Sequence, residues 1–413
     1  MRRSHRLWLP ALLAILALLA TACGRGSSGG TTGNAAGGSD PGITANSIKL
    51  GGSYPFSGPA SAYGTIGVAA KAYFDMLNAK GGVNGRKIEF TTLDDSYEPA
   101  RALQNVKRLI EQDKVFALFN TLGTPNNLAI WDYTNQQKVP QVFVATGASY
   151  WGADIAKHPF TIGWQPDYVS ESRVYATYLK QNKPNATVAV LYQNDAYGKD
   201  LLNGFKDAVQ GSGVKVTATE SYEVTDPSVD SQVSKLASSK ADVFLDVTTP
   251  KFAAQAIHRL TEVNWKPLHI LNNVSASKAL VLKPAGLEAS KGIVSTTYFK
   301  DPEDPQWAND PAMMEYKAGL KQYAPKADVN EPFNVYGWAA ANTMAEALKR
   351  MKQPTRASLM DAIRNMNLQI PLLLPGISVR TTPTDGYPIQ DMQVMQFDGN
   401  LWQLQGNVIQ TSQ

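Results

Sequence analysis

Short apolar runs alternate with longer segments of helical period along most of this chain, and the alternation runs through twice. That pattern constrains the fold more than any single motif. Alternating strands and helices bury their apolar faces by winding a parallel sheet between helical layers. In the first pass Ile48–Ser53 reads as a strand, and Ile66, Ala70, Tyr73 and Leu77 then fall on one helix face at i, i+4, i+7 and i+11. Strands at Lys87–Leu93, Val115–Asn120 and Val142–Ala145 alternate with helices over Glu98–Gln112 and from Pro125. The second pass has strands Thr187–Gln193, Val214–Thr219, Val243–Thr248 and His269–Asn272, with helices Gly198–Val209, Ser231–Ser238 and Phe252–Val263 between them. Two such units predict an α/β chain of two wound lobes, with binding surfaces at strand C-terminal ends. What remains is a strand over Gly292–Phe299, helices near Ala312–Tyr323, Phe333–Met351 and Ala357–Asn367, and a strand pair turning at Asp398-Gly399. This is too short for a third unit, so it is expected to complete the first two, with the chain crossing between lobes several times.

The length permits this, since 413 residues, 43% of them hydrophobic, suffice for two domains with buried cores. The N-terminal segment stands apart. Arg2, Arg3 and Arg6 precede an apolar run, Leu7–Ala20, of 14 residues. That is shorter than the roughly 20 needed to span a bilayer, and Pro10 interrupts it. Residues 1–22 therefore read as a secretory signal peptide. Small residues Thr21-Ala22 precede Cys23, the one cysteine of the chain. This junction resembles the lipobox of bacterial lipoproteins, with Ala20 where Leu is usual, and the resemblance implies that Cys23 is lipidated. Gly24 to Asp40 then holds seven Gly in 17 residues, the composition of a coil of about 20–25 Å mean reach. Residues 23–42 are read as the lipidated Cys and its tether. Gly24-Arg25-Gly26-Ser27-Ser28-Gly29 is formally a GxGxxG, but no strand precedes it and no periodic helix follows, so it is not read as a dinucleotide site.

Several function classes are disfavoured. Setting aside the three leader arginines leaves 36 Lys and Arg against 35 Asp and Glu. A near-neutral body has no basic footprint for nucleic acid. A lone cysteine excludes a disulfide scaffold, a Cys-ligated zinc site and a dithiol redox centre. His158, His258 and His269 show no metal-binding spacing, and neither a P-loop nor a GxSxG elbow is present. Asp94-Asp95, at consecutive strand positions, point to opposite faces and do not form a carboxylate pair. No catalytic residue, metal or cofactor is expected.

Three segments carry a family resemblance: Ser57-Gly58-Pro59-Ala60-Ser61-Ala62-Tyr63-Gly64, Asn78-Ala79-Lys80-Gly81-Gly82-Val83-Asn84-Gly85-Arg86-Lys87, and Asp94-Asp95 closing the second strand. From about Ile43 to the C-terminus the chain resembles the leucine/isoleucine/valine-binding type of ABC importer substrate-binding proteins. The resemblance implies the type I periplasmic-binding-protein fold, two α/β lobes joined by a multi-strand hinge with ligand enclosed between them. Residues 43–164 with about 297–375 would form one lobe, and 165–296 with about 376–413 the other. It also implies ligand contacts. Gly123 and Thr124 fall on the loop that holds a ligand carboxylate, and Gly147, Ala148 and Ser149 on a second carboxylate and amine loop. Tyr63 and Tyr197 fall on aromatic contacts from the two lobes. Thr248, Asn272 and Asn273 complete the set, and Trp164, Gln165, Asp195 and Asp246 are further candidates near the cleft. One departure matters: amino-acid binders of this type carry an acid for the ligand ammonium where this chain reads Asn272-Asn273-Val274-Ser275.

Part of this follows from the residues alone. Thr124 before Pro125 reads as an N-cap hydroxyl at a helix start, and the free N–H groups of such a start attract an anion. Gly147-Ala148-Ser149, being small, lets backbone N–H groups approach a ligand. Together these give the expectation of an extracytoplasmic, lipid-anchored, monomeric solute receptor that captures a small carboxylate-bearing ligand and delivers it to ABC permease subunits. A hydrophobic or aromatic acid is favoured over a branched-chain amino acid, because a buried ammonium without a carboxylate partner is costly. A ligand sensor of the same fold, or a secreted α/β enzyme, is the alternative.

Overall fold

The structure is a computed structural model that describes residues 39–411. The leader, Cys23 and nearly all of the tether lie outside the described residues. The first pass of the sequence forms β1 (Ser47–Tyr54), α1 (Gly64–Ala79), β2 (Lys87–Asp94), α2 (Pro99–Glu111), β3 (Ala117–Phe119), α3 (Thr124–Gln136), β4 (Gln141–Val144), α4 (Tyr150–Ala153) and β5 (Thr161–Gly163). Its sheet has the order β2-β1-β3-β4-β5, and every neighbouring pair is parallel. The second pass forms α5 (Tyr168–Asn182), β6 (Thr187–Gln193), α6 (Ala196–Val209), β7 (Lys215–Tyr222), α7 (Asp230–Ser238), β8 (Val243–Val247), α8 (Pro250–Glu262), β9 (Leu268–Leu271), α9 (Lys283–Ala285) and β10 (Val294–Thr297). The rest is α10 (Pro311–Tyr323), α11 (Pro332–Lys349), α12 (Arg356–Ile363), β11 (Asn367–Leu368), β12 (Val379–Arg380), β13 (Met392–Phe397) and β14 (Trp402–Ile409).

The second sheet has the order β14-β13-β10-β9-β8-β6-β7. It is parallel except for β13, which runs antiparallel to both β10 and β14. The expected strand pair about Asp398-Gly399 therefore closes the edge of the second sheet. The helices α10 and α11 pack on α1 of the first lobe, and α12 packs on α11. The chain thus passes between the lobes after β5, after β10 and before β13.

Besides the short elements α4, α9, β11 and β12, the sequence reading has no counterpart for β5 and α5. β5 has only three residues. In α5 the buried face includes Ser170, Glu171 and Ser172, so a face that goes inside does not read as apolar.

The first lobe is held by an aromatic cluster in which Phe74 meets Phe90 and Phe119 edge-on, both at 5.4 Å between ring centroids. Phe74 and Phe119 are fully buried, and each such ring stabilises the fold by about 1.5–3 kcal/mol. α11 lies flush on α1 because position 337 is glycine: a Cβ there would stand 2.2 Å from the Ile66 carbonyl oxygen. That close approach sets where the first turns of α11 deliver Phe333 and Tyr336.

Candidate functional site

A cavity with an empty volume of about 580 Å3 lies at the strand C-terminal ends, where both lobes contribute walls. One wall is the start of α3. Gly123 adopts φ +95, which a side chain would strain, and a Cβ there would sit 2.6 Å from the Tyr97 ring. Tyr97 itself has φ +64, held by its N–H donating to Asp95 Oδ1 at 2.8 Å. Asp95 and Asp94 act separately: Asp94 accepts instead from the N–H groups of Phe56 and Ser57. The N-cap position of α3 is Gly123, without a side-chain cap, and Thr124 is the first helical residue. This corrects the expectation of a capping hydroxyl, because the Thr124 Oγ1 pairs with Thr146 Oγ1 at 2.5 Å instead. The opening N–H groups of any helix lack partners within it, so this wall offers donors.

The other walls are aromatic. Tyr63, Tyr97, Tyr168, Tyr197, Tyr298 and Tyr336 line the cavity together with Phe299 and Phe333. Tyr168 meets Tyr197 edge-on at 5.1 Å, and Tyr63 meets Phe333 at 5.3 Å. The Tyr63 and Tyr336 hydroxyls are buried without a hydrogen-bond partner among the described residues. None of the described residues lining the cavity carries a charge.

Of the residues singled out in the sequence, Tyr63, Gly123, Thr124, Gln165, Tyr197 and Asn273 line this cavity. The others do not, each for a visible reason. Gly147 is pressed against Tyr168 and the Pro166 carbonyl. The Ala148 N–H turns to Thr146 Oγ1. Both the N–H and the hydroxyl of Ser149 donate to the Asp200 carboxylate, at 2.8 and 3.0 Å. Thr248 donates to Asp246 Oδ1, and its neighbour Thr249 reaches the cavity instead. Asn272 is fully buried, donating to the carbonyls of Asp246 and Thr248 and accepting from the Tyr197 hydroxyl at 3.1 Å. Trp164 lies behind the wall, its N–H on Thr343 and its ring edge-on to Tyr336. Asp195 caps α6 and accepts from Gln193. Asp246 is sealed in the second lobe against His269 Nε2 at 3.1 Å. Cys23 lies outside the described residues.

The sequence reading passed over Glu171, a buried acid one layer behind the cavity. Its Oε1 accepts from the Asn273 N–H and from the Tyr175 hydroxyl, both at 2.6 Å. Burial pushes its pKa up to about 7, against the opposing pull of those two hydrogen bonds. A signal for its helix existed: Asp167 caps α5 by accepting from the N–H groups of Val169 and Ser170, and an Asp at the head of a segment is a helix-start cue. For Tyr298, Phe299, Phe333 and Tyr336 no local cue sets them apart from core aromatics.

Contacts span the two lobes on either side of the cavity. Ser149 meets Asp200 of α6, and the Ser277 hydroxyl donates to Glu331 at 2.7 Å. The Tyr387 hydroxyl, from the last crossing segment, also donates to the Ser149 carbonyl at 2.8 Å.

Residues 47–401 match the family described as Periplasmic binding protein. The chain is 23% identical over 367 residues to "Leu/Ile/Val-binding protein homolog 7" of Brucella abortus (strain 2308), covering 86% of this chain and 90% of that one. Its fold is similar to a branched-chain amino acid ABC transporter protein of Thermus thermophilus with bound valine, at 16% identity and a TM-score of 0.81, covering 90% of this chain and 98% of that one. It is similar also to a fatty acid ABC transporter substrate-binding protein of Thermomonospora curvata, at 22% identity and a TM-score of 0.76, covering 91% and 95%. With the two wound parallel-sheet lobes and the cavity between them, these likenesses make the chain a member of the type I periplasmic binding proteins, a family of non-enzymatic solute-binding proteins.

Proposed function

We propose that this chain captures a small carboxylate-bearing molecule with an apolar or aromatic body between its lobes and delivers it to the membrane subunits of an ABC permease. The chemistry of the lining carries the reading. The start of α3 and the Thr124–Thr146 hydroxyl pair offer donors to an anion, and the remaining walls are aromatic rings. The names of the relatives, which include branched-chain amino acid and fatty acid binders, agree with such a ligand. A hydrophobic or aromatic acid fits better than an amino acid, since no described lining residue is a carboxylate that would pair with an ammonium. We take 43–164 with about 297–375 as one lobe and 165–296 with about 376–413 as the other. The protein works as a monomer held outside the cytoplasm by a lipid on Cys23. Cys23→Ser then releases it from the membrane fraction without lowering its melting temperature; unchanged membrane association would contradict the anchor.

The ligand class is tested by a thermal-shift screen over aliphatic acids, aromatic acids, amino acids and small amides, because a molecule bound only by the folded state raises apparent stability with its concentration. A calorimetric titration of phenylpropionate against phenylalanine near neutral pH follows. Tighter binding of phenylpropionate is expected. Tighter binding of phenylalanine, abolished by Glu171→Gln, would make an amino acid the ligand and Glu171 its ammonium partner. A sensor of the same fold remains the second reading on function, and adjacent permease and ATPase genes distinguish import from sensing.

A further inference from the structure

A second, smaller cavity adjoins the first on the side of the antiparallel strand pair. Asn273, Phe299 and Phe333 line both spaces. Asn273 is fixed, because its side-chain amide donates to the Thr296 carbonyl. The two phenylalanines have no such tether. Beyond them the walls are mostly apolar: Ala276, Pro332, Met395 and Trp402. Both lobes contribute again, with Phe333 from the first turn of α11 and Met395 and Trp402 from β13 and β14.

Trp402 supplies the second observation. Its side chain is only 4% exposed, its ring leans on Phe397 at 5.4 Å, and its indole N–H has no hydrogen-bond partner among the described residues. Leaving a buried donor unpaired is costly, and an acceptor brought in by a ligand removes that cost. Asp301 also lines this cavity, and its carboxyl disfavours a second carboxylate at that end.

We propose that the second cavity is a tail subsite for the ligand of the first: the ligand's unbranched apolar chain passes between Phe299 and Phe333 and ends in a hydroxyl that accepts from the Trp402 N–H. This rests on the carboxylate-capture reading and narrows it to ω-hydroxy acids. An unbranched chain has the smaller cross-section and so needs less movement of the two rings than a branched one. The acid end stays at the start of α3, so chain length decides whether the far end reaches Trp402.

The test is a calorimetric series of unbranched acids, from butanoate to dodecanoate, each beside its ω-hydroxy counterpart. It is run on the full chain and on two variants, Ala276→Leu and Trp402→Phe. In the unaltered protein the affinity is expected to climb about fourfold per added methylene until the second cavity is filled, and the hydroxy acid of that length to bind several-fold tighter than the plain acid. Ala276→Leu narrows the cavity, so the climb ends at a shorter chain and the ratio of long- to short-acid affinity collapses. Trp402→Phe keeps the ring and removes the advantage of the terminal hydroxyl, and it serves if the leucine variant does not fold. A climb that ends at one chain length with and without Ala276→Leu, or a hydroxyl advantage that survives Trp402→Phe, overturns the tail subsite alone. Failure of every acid to bind at any length overturns the carboxylate-capture reading, and the subsite with it.

Discussion

The loops after β3 and β4 look alike in sequence, each a small-residue turn at a strand end with hydroxyl side chains, yet they do different work. At Gly123–Thr124 the chain enters a long helix at the cavity wall; the Gly123 N–H donates to the Ala145 carbonyl, and among the described residues no acidic side chain bonds the N–H groups of the first turn. At Gly147–Ser149 the comparable donors are taken: Ser149 gives both its N–H and its hydroxyl to Asp200, and Ala148 turns to Thr146. The second lobe repeats the second case, since the Asn273 N–H is held by Glu171. A backbone donor at a strand end is available to a ligand only where no other group of the protein has taken it. Strand-end position alone therefore does not identify a contact. The carboxylate that claims the donor comes from a distant part of the chain.

The largest expected effect breaks the open loop itself. Gly123→Val puts a branched side chain at φ +95 and into the Tyr97 ring. It should cost about 1–3 kcal/mol of stability and weaken acid binding about 100-fold or more, read by thermal melts and calorimetry. Retained affinity would mean that the start of α3 is not a binding wall. Thr124→Val is milder, removing one hydroxyl while keeping shape, and should weaken a carboxylate ligand by about 10- to 100-fold while altering binding of the corresponding amide much less. Equal losses for acid and amide would show that the hydroxyl serves packing rather than charge.

Glu171 sharpens the comparison through pH. Its folded pKa, about 7, lies above the ordinary glutamate value, so in that interval the folded state binds the extra proton. The stability it contributes is fully present below about pH 4.5 and is lost as pH rises through about 7, at most about 3 kcal/mol. Glu171→Gln keeps an acceptor for Asn273 and Tyr175 and carries no charge. It should flatten the fall in melting temperature between pH 5 and 8 and raise the melting temperature at pH 8. An unchanged pH slope would remove Glu171 as its source. The smallest effect is expected at the closed loop, where Ser149→Ala should weaken ligand binding less than about threefold. A loss matching that of Thr124→Val would show that Ser149 releases Asp200 to hold ligand.

The first lobe was legible from β1 to α2 because α1 and α2 carry apolar residues at helical spacing, and the start of α3 because Thr124-Pro125 marks it, although the face α3 buries includes Thr124, Asn126, Asn127 and Thr134. α5 was not, since Ser170, Glu171 and Ser172 face inward and interrupt the apolar period. At the site, Tyr63, Gly123 and Thr124 stand in local patterns that announce a strand end or helix start. Phe299, Phe333 and Tyr336 reach the cavity only because the chain recrosses the lobes and α11 settles on α1 at Gly337. Those are long-range events that no local period records. Asn272 misled for the opposite reason: it stands at the expected strand end, but its amide is consumed in joining β8 to β9.

The most direct test of the central claim is a crystal structure of the complex with the tightest acid found in the screen. The account predicts that its carboxylate lies within hydrogen-bond distance of Thr124 Oγ1 and the first N–H groups of α3, with its body against Tyr63, Tyr197 and Tyr336. A carboxylate held instead by Ser149, with Asp200 displaced, or an acid bound outside this cavity, would contradict it.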